Sequence, residues 1–113
     1  EGRHDEAMRL LDEALARRAD YPEALVERGD GLLAQGRHEA ALDSYRAALS
    51  QQAVDPQALF GAARASAALH LDAEARRHYE RFLRVAPVDL GSHRAAARRE
   101  LARLGGASLA PKR

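Results

Sequence analysis

Apolar residues recur along the chain at the spacing of one helix face. Ala41, Leu42, Tyr45, Ala48 and Leu49 occupy positions i, i+1, i+4, i+7 and i+8. That spacing is typical of an amphipathic helix whose apolar stripe faces a core. An equivalent stripe lies earlier in the chain and consists of Ala7, Met8, Leu11, Ala14 and Leu15. The pattern predicts helices over residues 4–18, 22–35, 38–52, 56–70, 72–85 and 90–104.

Capping residues and helix breakers mark the ends of these segments. Asp55 precedes Pro56, a capping side chain followed by a proline whose missing N–H costs nothing at the first helical position. We expect Asp72 to cap the fifth helix in the same way. Gly36 and the Gly105–Gly106 pair are expected to end helices, because glycine enters the left-handed region freely.

The helices repeat at a fixed interval, because Gly2-Arg3-His4 reappears as Gly36-Arg37-His38. Further positions obey the same shift, among them Ala7, Ala41 and Ala75, then Leu11, Tyr45 and Tyr79, then Pro22 and Pro56. A fixed period of this length indicates a stack of supersecondary units rather than a single globular core. Short links between the helices favour antiparallel pairs.

The repeat resembles the tetratricopeptide repeat, a helix-turn-helix unit of about 34 residues. The copy at 22–55 matches best, through Leu25, Gly29, Leu32, Ala41, Tyr45, Ala48 and Leu49. The copy at 56–89 is looser, and the departures from the family pattern are Arg28, Ser66 and Phe82. The resemblance implies an all-α, right-handed superhelical array of antiparallel helix pairs with about six helices.

The repeat register divides the chain into a repeat domain, 1–104, and a flexible tail, 105–113. Within the domain, 1–21 is the second helix of a truncated repeat, 22–55 and 56–89 are full repeats, and 90–104 is a polar capping helix. Met8, Leu11 and Leu15 would then lack a covering helix. We therefore expect self-association or fraying at the N-terminal helix.

The amino-acid composition excludes some classes of protein but does not identify a function. The chain has 46% hydrophobic and 31% charged residues, which is ordinary for a soluble protein. No apolar run approaches the roughly 18 residues of a membrane span. Cysteine is absent, which excludes disulfides but leaves the compartment open.

Motifs for catalysis or cofactor binding are missing from the sequence. None of the five histidines forms an i, i+4 pair of the kind that binds zinc, and neither glycine-rich phosphate motif occurs. We therefore predict no metal, no cofactor and no enzymatic activity. A related RNA-binding family has a slightly longer period and a basic groove, whereas the net charge of this chain is only +1. Nucleic-acid binding is accordingly not expected.

The resemblance implies that the first helix of each pair lines a concave groove that holds a protein or peptide. The groove residues expected from their positions are Glu23, Val26, Glu27, Asp30, Leu33, Phe60, Arg64, Arg94 and Arg98. Phe60 either faces the ligand or folds against Leu33 or a neighbouring helix. The family's clamp for a chaperone's C-terminal carboxylate uses lysine and asparagine, but this chain has no asparagine and its one lysine is Lys112.

Charge is distributed unevenly along the chain. Residues 1–63 hold 7 Arg and 12 acidic residues, whereas residues 64–113 hold 11 basic and 5 acidic residues. A peptide of opposite polarity would be steered and oriented by this field. The hypothesis is an interaction scaffold, and the alternative is a structural or self-associating segment of a larger enzyme or secretion component.

Overall fold

Six α-helices follow one another along the described part of the chain. The computed structural model describes residues 2–17 and 21–105. The helices are α1 (Gly2–Arg17), α2 (Pro22–Ala34), α3 (His38–Gln51), α4 (Pro56–Ala68), α5 (Asp72–Val85) and α6 (Gly91–Gly105). A short 3-10 turn, Val88–Leu90, leads into α6, and the described residues contain no strand. Each helix ends within two residues of its predicted bounds. Of the predicted tail, Gly105 closes α6 and residues 106–113 lie outside the described part.

The helices stack as antiparallel pairs. α2 packs on α3 and α4 on α5, while α3 against α4 joins one pair to the next. α1 packs on α2, and α6 packs on α5. α2 also contacts α4, which places these first helices on a common side of the stack. The result measures 53 × 24 × 23 Å, and the predicted all-α repeat array is confirmed.

The turn inside each pair has the same backbone geometry. Gly36 has a φ of 78°, and His70, its equivalent in the next repeat, has a φ of 62°. The amide of Arg37 donates to Leu32 O at 2.9 Å, and that of Leu71 donates to Ser66 O at 2.9 Å. These bonds form the Schellman motif, which satisfies carbonyls left over at a helix end.

The N-termini of α4 and α5 are capped differently. Asp55 caps α4, since its carboxylate accepts the amide of Gln57 at 3.1 Å, as expected. The prediction for Asp72 is wrong: it is the first residue of α5, and Leu71 stands at the capping position without a side-chain bond. The preceding turn fixes that register, because its left-handed residue is His70.

Tyr45 joins three helices through its ring. It belongs to α3 and is fully buried. A Cβ atom on Gly29 of α2 would lie 2.8 Å from the Tyr45 ring, and one on Gly61 of α4 would lie 2.3 Å from it. Real Cβ atoms do not approach a ring so closely, so only glycine permits this packing at either position. The ring therefore sets the separation of α2 from α4.

Two departures from the family pattern are explained by side-chain hydrogen bonds. Arg28 reaches Asp12 on α1 at 2.8 Å and Ser44 on α3 at 3.1 Å, which ties three helices together. Ser66 is fully buried, and its hydroxyl donates to Ala62 O at 2.7 Å within the same helix. Neither polar side chain is therefore left without a partner.

The uncovered face of α1 is not the one that we expected. Met8 and Leu15 pack against the core formed with α2 and α3, and Leu11 is half-buried. Ala7 is exposed instead, although its equivalents Ala41 and Ala75 are fully buried, and Leu10 is 52% exposed. Met8 and Leu15 are partly buried because α1 packs on α2. Self-association or fraying of the N-terminal helix stays a prediction.

A charged network links α3 and α5 on the side away from α2 and α4. Arg46 donates to both oxygens of Glu74, at 2.6 and 3.0 Å, and His78 Nε2 lies 3.1 Å from Glu74 Oε2. Arg46, and then the His78 hydrogen bond, lower the pKa of Glu74 to about 2. Burial lowers the pKa of His78 despite Glu74, and its Nδ1 is buried with no partner among the described residues.

Substituting Ala41→Leu tests the repeat register. A larger side chain at this fully buried crossing should overpack it and lower the free energy of unfolding by about 1–3 kcal/mol. The matched control is Ala7→Leu, which is one repeat away but exposed and should change stability little. Urea denaturation followed by circular dichroism measures both. Equal effects of the two substitutions would contradict the register.

Acidification should destabilise the fold through His78. Its pKa is lowered in the folded protein, so the unfolded chain binds the proton more readily once the pH falls below about 6.5. The midpoint of urea denaturation should therefore drop between pH 7.5 and 5.5, before Glu74 begins to titrate. His78→Gln should reduce that drop relative to the parent chain. A drop of equal size in the variant and the parent chain would exclude His78, which lies near the charges of Glu74, Arg77 and Arg81, as its origin.

Candidate functional site

The side of the stack that carries α2 and α4 contains a cleft of about 390 Å³. Most of its lining comes from α2 and α4, which lie side by side, and single residues of α3, α5, the 3-10 turn and α6 complete it. The residues that line it are Asp30, Leu33, Ala34, Tyr45, Pro56, Gln57, Phe60, Gly61, Arg64, Phe82, Leu90 and His93. This cleft is called the Phe60 cleft below.

An aromatic cluster forms the floor of the Phe60 cleft. The ring of Phe60 lies 5.0 Å from that of Phe82 and 4.9 Å from that of His93, measured between centroids. Tyr79 meets Phe60 edge-on at 6.0 Å. These contacts hold one side of Phe60 against α5 and α6, whereas the other side remains partly exposed in the cleft. Phe60 thus packs on neighbouring helices, and whether its remaining surface faces a ligand stays a prediction.

Tyr45 and Asp30 form a polar edge of the cleft. The Tyr45 hydroxyl donates a hydrogen bond to Asp30 Oδ1. Burial, followed by the bond to Asp30, raises the pKa of Tyr45 far above its ordinary value, so the hydroxyl stays a donor at neutral pH. Asp30 is exposed, and this bond orients its carboxylate at the mouth of the cleft.

Unpaired charges flank the cleft on both sides. Glu23 and Glu27 are exposed on α2, and Arg64 and Arg98 are exposed on α4 and α6. None of these four side chains forms an ion pair or a hydrogen bond with another described residue. The acidic side chains belong to the first full repeat, and the basic ones belong to the second repeat and the last helix. The cleft thus lies between fields of opposite sign.

Comparison with known proteins identifies the family of the chain. The family model of the tetratricopeptide repeat matches residues 1–56 and 27–89. The chain belongs to the tetratricopeptide repeat family. No curated protein matches the chain. Tetratricopeptide repeats are generally non-catalytic scaffolds for protein–protein interaction, and α2 and α4 begin the segments 22–55 and 56–89 that we predict to be the full repeats.

Apart from Arg94, the predicted groove residues fall into three groups. Asp30, Leu33, Phe60 and Arg64 line the Phe60 cleft, while Glu23, Glu27 and Arg98 are exposed outside it. Val26 is only 4% exposed, because it packs in the core around Tyr45. Whether any of them contacts a ligand stays a prediction, but Val26 offers a ligand almost no surface.

Arg94 has a structural partner inside the repeat stack. Its Nη1 donates to Leu83 O at 2.9 Å and to Ala86 O at 3.1 Å. These carbonyls belong to the last turn of α5 and the residue after it, so the guanidinium satisfies groups that the helix itself leaves open. Arg94 thereby attaches α6 to α5, and we leave it out of the proposed ligand contacts.

The predicted groove residues omit eight residues of the cleft lining, among them Tyr45, Gly61, Phe82 and His93. Phe82 carried a visible signal, since it stands where the tetratricopeptide pattern has a small residue. His93 carried none, because its position beside Phe60 depends on how α6 packs on α5. Within the described residues, no three His, Cys, Asp or Glu side chains are placed to hold a metal ion, and no helix could cross a membrane.

Arg94→Gln should loosen the last helix of the repeat stack. The variant loses charge-assisted bonds to two carbonyls, and we expect a loss of about 1–3 kcal/mol in unfolding free energy. Arg98→Gln is the matched control, because Arg98 is exposed without an ion pair and should change stability by less than about 0.5 kcal/mol. Hydrogen exchange of the α6 amides gives the site-specific measurement. Unchanged protection in Arg94→Gln would show that these bonds contribute nothing to docking.

Proposed function

We propose that the Phe60 cleft binds a peptide segment of a partner protein through one large apolar side chain. The observation that supports this most is the partly exposed aromatic ring in a cleft lined by α2 and α4. Apolar surface that is held rigid and left open to water gains free energy when a partner covers it. Phe60 meets both conditions, because Phe82, Tyr79 and His93 fix its ring.

The dimensions of the cleft suit a side chain rather than a whole domain. Its volume of about 390 Å³ lies near the lower end of the roughly 300–1,000 Å³ found for ligand pockets. Leu33, Ala34 and Pro56 add apolar walls to the aromatic floor. A leucine or an aromatic residue of the partner fits this lining, while the peptide backbone runs along the groove.

The flanking charges support a role in steering the partner. Glu23 and Glu27 present unpaired carboxylates on one side, and Arg64 presents an unpaired guanidinium on the other. Exposed charges of this kind accelerate encounter and fix orientation more than they add affinity. Their contribution should fall as salt shortens the screening length to roughly 8 Å.

Phe60→Ala should abolish most of the binding. A random dodecamer peptide library selected against the chain should yield peptides with a large apolar residue, and the substitution should weaken them about thirtyfold. Because Phe60 also packs on α5 and α6, the second variant is Ala34→Glu, which places a charge in the cleft from an exposed helix position. Fluorescence polarisation with the selected peptides measures both variants.

The control for these variants is Val54→Ala. Val54 is 62% exposed and does not line the cleft, so its truncation should leave affinity unchanged. Circular dichroism establishes that each variant is folded. Peptides that bind Phe60→Ala and Ala34→Glu as well as the parent chain would place the binding surface elsewhere. A chain that selects no peptide would favour the alternative of a structural segment.

A further inference from the structure

A second cleft adjoins the Phe60 cleft and lies between α4 and α6. It has a volume of about 370 Å³, and Phe60 and Arg64 form the wall that it shares with its neighbour. Ala67 and Ala68 of α4 and Ala96 of α6 supply small apolar walls, and Tyr79 lies at its base. Glu100 and Arg103 complete the lining. This space is called the Arg64 cleft below.

Comparison of the two repeats shows that the tyrosine at the base of the Arg64 cleft lacks the acceptor that its equivalent has. Tyr79 is equivalent to Tyr45, and Arg64 is equivalent to Asp30, each one repeat further along the chain. In the first copy the tyrosine hydroxyl donates to Asp30. In the second copy the acceptor is replaced by Arg64, which can only donate. The Tyr79 hydroxyl makes no hydrogen bond to any described residue.

Two donors that line this cleft, the Tyr79 hydroxyl and the Arg64 guanidinium, therefore make no hydrogen bond to a described residue. Burial, followed by the charge of Glu100, raises the pKa of Tyr79 to about 12, so its hydroxyl carries a proton at neutral pH. The Arg64 guanidinium is exposed and has no ion partner among the described residues. A carboxylate accepts from a guanidinium and a phenol at once, because each of its oxygens has two lone pairs.

We propose that the Arg64 cleft receives the side-chain carboxylate of an Asp or Glu in the partner peptide, held by Arg64 and the Tyr79 hydroxyl. This inference rests on the proposed function, since the same peptide places its apolar side chain in the Phe60 cleft. The occupant is an acidic side chain rather than a free C-terminus, because an adjoining depression continues from Arg64 to Ser92 and Ala96 of α6 and the peptide need not stop at Arg64.

The carboxylate of Glu100 does not take this place. Arg103 donates to Glu100 Oε1 from Nε at 3.0 Å and from Nη2 at 2.6 Å, which neutralises the acid. With this pair balanced, Arg64 is the remaining charge in the cleft lining. The cleft therefore presents a net positive charge to an incoming carboxylate.

The spacing of the two clefts sets the spacing of the two side chains in the peptide. Phe60 and Arg64 are one helical turn apart, so their Cβ atoms are separated by about 5–6 Å. In an extended peptide, residues two apart point to the same side and lie about 7 Å from each other. The ligand should therefore carry its apolar and acidic residues at positions n and n+2, in one of the two orders.

Four capped peptides test this assignment without a known partner. Acetyl-Leu-Ala-Glu-Ala-amide and acetyl-Ala-Glu-Ala-Leu-amide present the pair in both orders, and two further peptides replace Glu by Gln. Terminal capping removes any free C-terminal carboxylate. Titration into the ¹⁵N-labelled chain, followed through the amide signals of α4 and α6, gives each dissociation constant.

We expect one order of the Glu peptide to bind about fivefold more tightly than its Gln counterpart, the size expected of a partly exposed ion pair. That preference should vanish in Arg64→Gln and shrink in Tyr79→Phe, which removes only the hydroxyl. Arg98→Gln is the control for charge alone, because Arg98 lines neither cleft. It should leave the preference intact. Increasing salt should weaken the Glu peptide and not the Gln peptide.

The outcomes separate this inference from the proposed function. Equal binding of Glu and Gln peptides, with loss of both in Phe60→Ala, would retain the Phe60 cleft and overturn the acidic subsite. A preference for Glu that survives Arg64→Gln and Tyr79→Phe would overturn it as well. A preference that survives Phe60→Ala at unchanged affinity would keep the subsite and reject the apolar anchor. Failure of all four peptides to shift α4 would overturn both.

Discussion

Tyr45 extends from α3, yet its ring lies between Gly29 of α2 and Gly61 of α4. The ring leaves no room for a Cβ atom on either side, so the two first helices approach one another as closely as the aromatic thickness allows. That approach buries the core of the first repeat and creates the wall of the Phe60 cleft at the same time. The hydroxyl at the far end of the ring then fixes Asp30 at the cleft mouth. Folding of the stack and shaping of the groove are therefore one packing event, because the same side chain does both.

Local signals account for how well the helices could be predicted. Each of these signals lies at the structural feature that it determines. Pro22 and Pro56 stand at the starts of helices, and Gly36 stands in a turn. Asp72 shows where local reasoning fails. Its side chain is a good cap, but the preceding turn is closed by backbone bonds around His70, and that turn sets the start of α5 one residue earlier than a cap at Asp72 would require. A rigid turn outweighs a single capping bond.

The site was harder to predict because it depends on contacts between elements. Phe60 and Arg64 were predicted groove residues from their positions in the repeat, and both line the Phe60 cleft. The fate of Arg94 could not be predicted, since the carbonyls of Leu83 and Ala86 become its acceptors only once α6 has docked on α5. Phe82 illustrates an intermediate case, in which a departure from the family pattern was visible but its consequence, a second ring beneath Phe60, was not. Departures from a repeat pattern are thus good indicators of where a site lies and poor indicators of its geometry.

The equivalence of Asp30 and Arg64 has an implication for how such a protein can change its partner. Both positions are exposed, and each neighbours the buried tyrosine of its own repeat, while the residues that build the helix crossings lie elsewhere in the unit. Opposite charges are therefore accommodated on the same backbone without altering what holds the helices together. The charge beside each tyrosine and the residues that pack the helices therefore occupy separate positions of the repeat. A single substitution at the position of Asp30 or Arg64 can reverse the charge at the cleft while the packing of the helices stays constant.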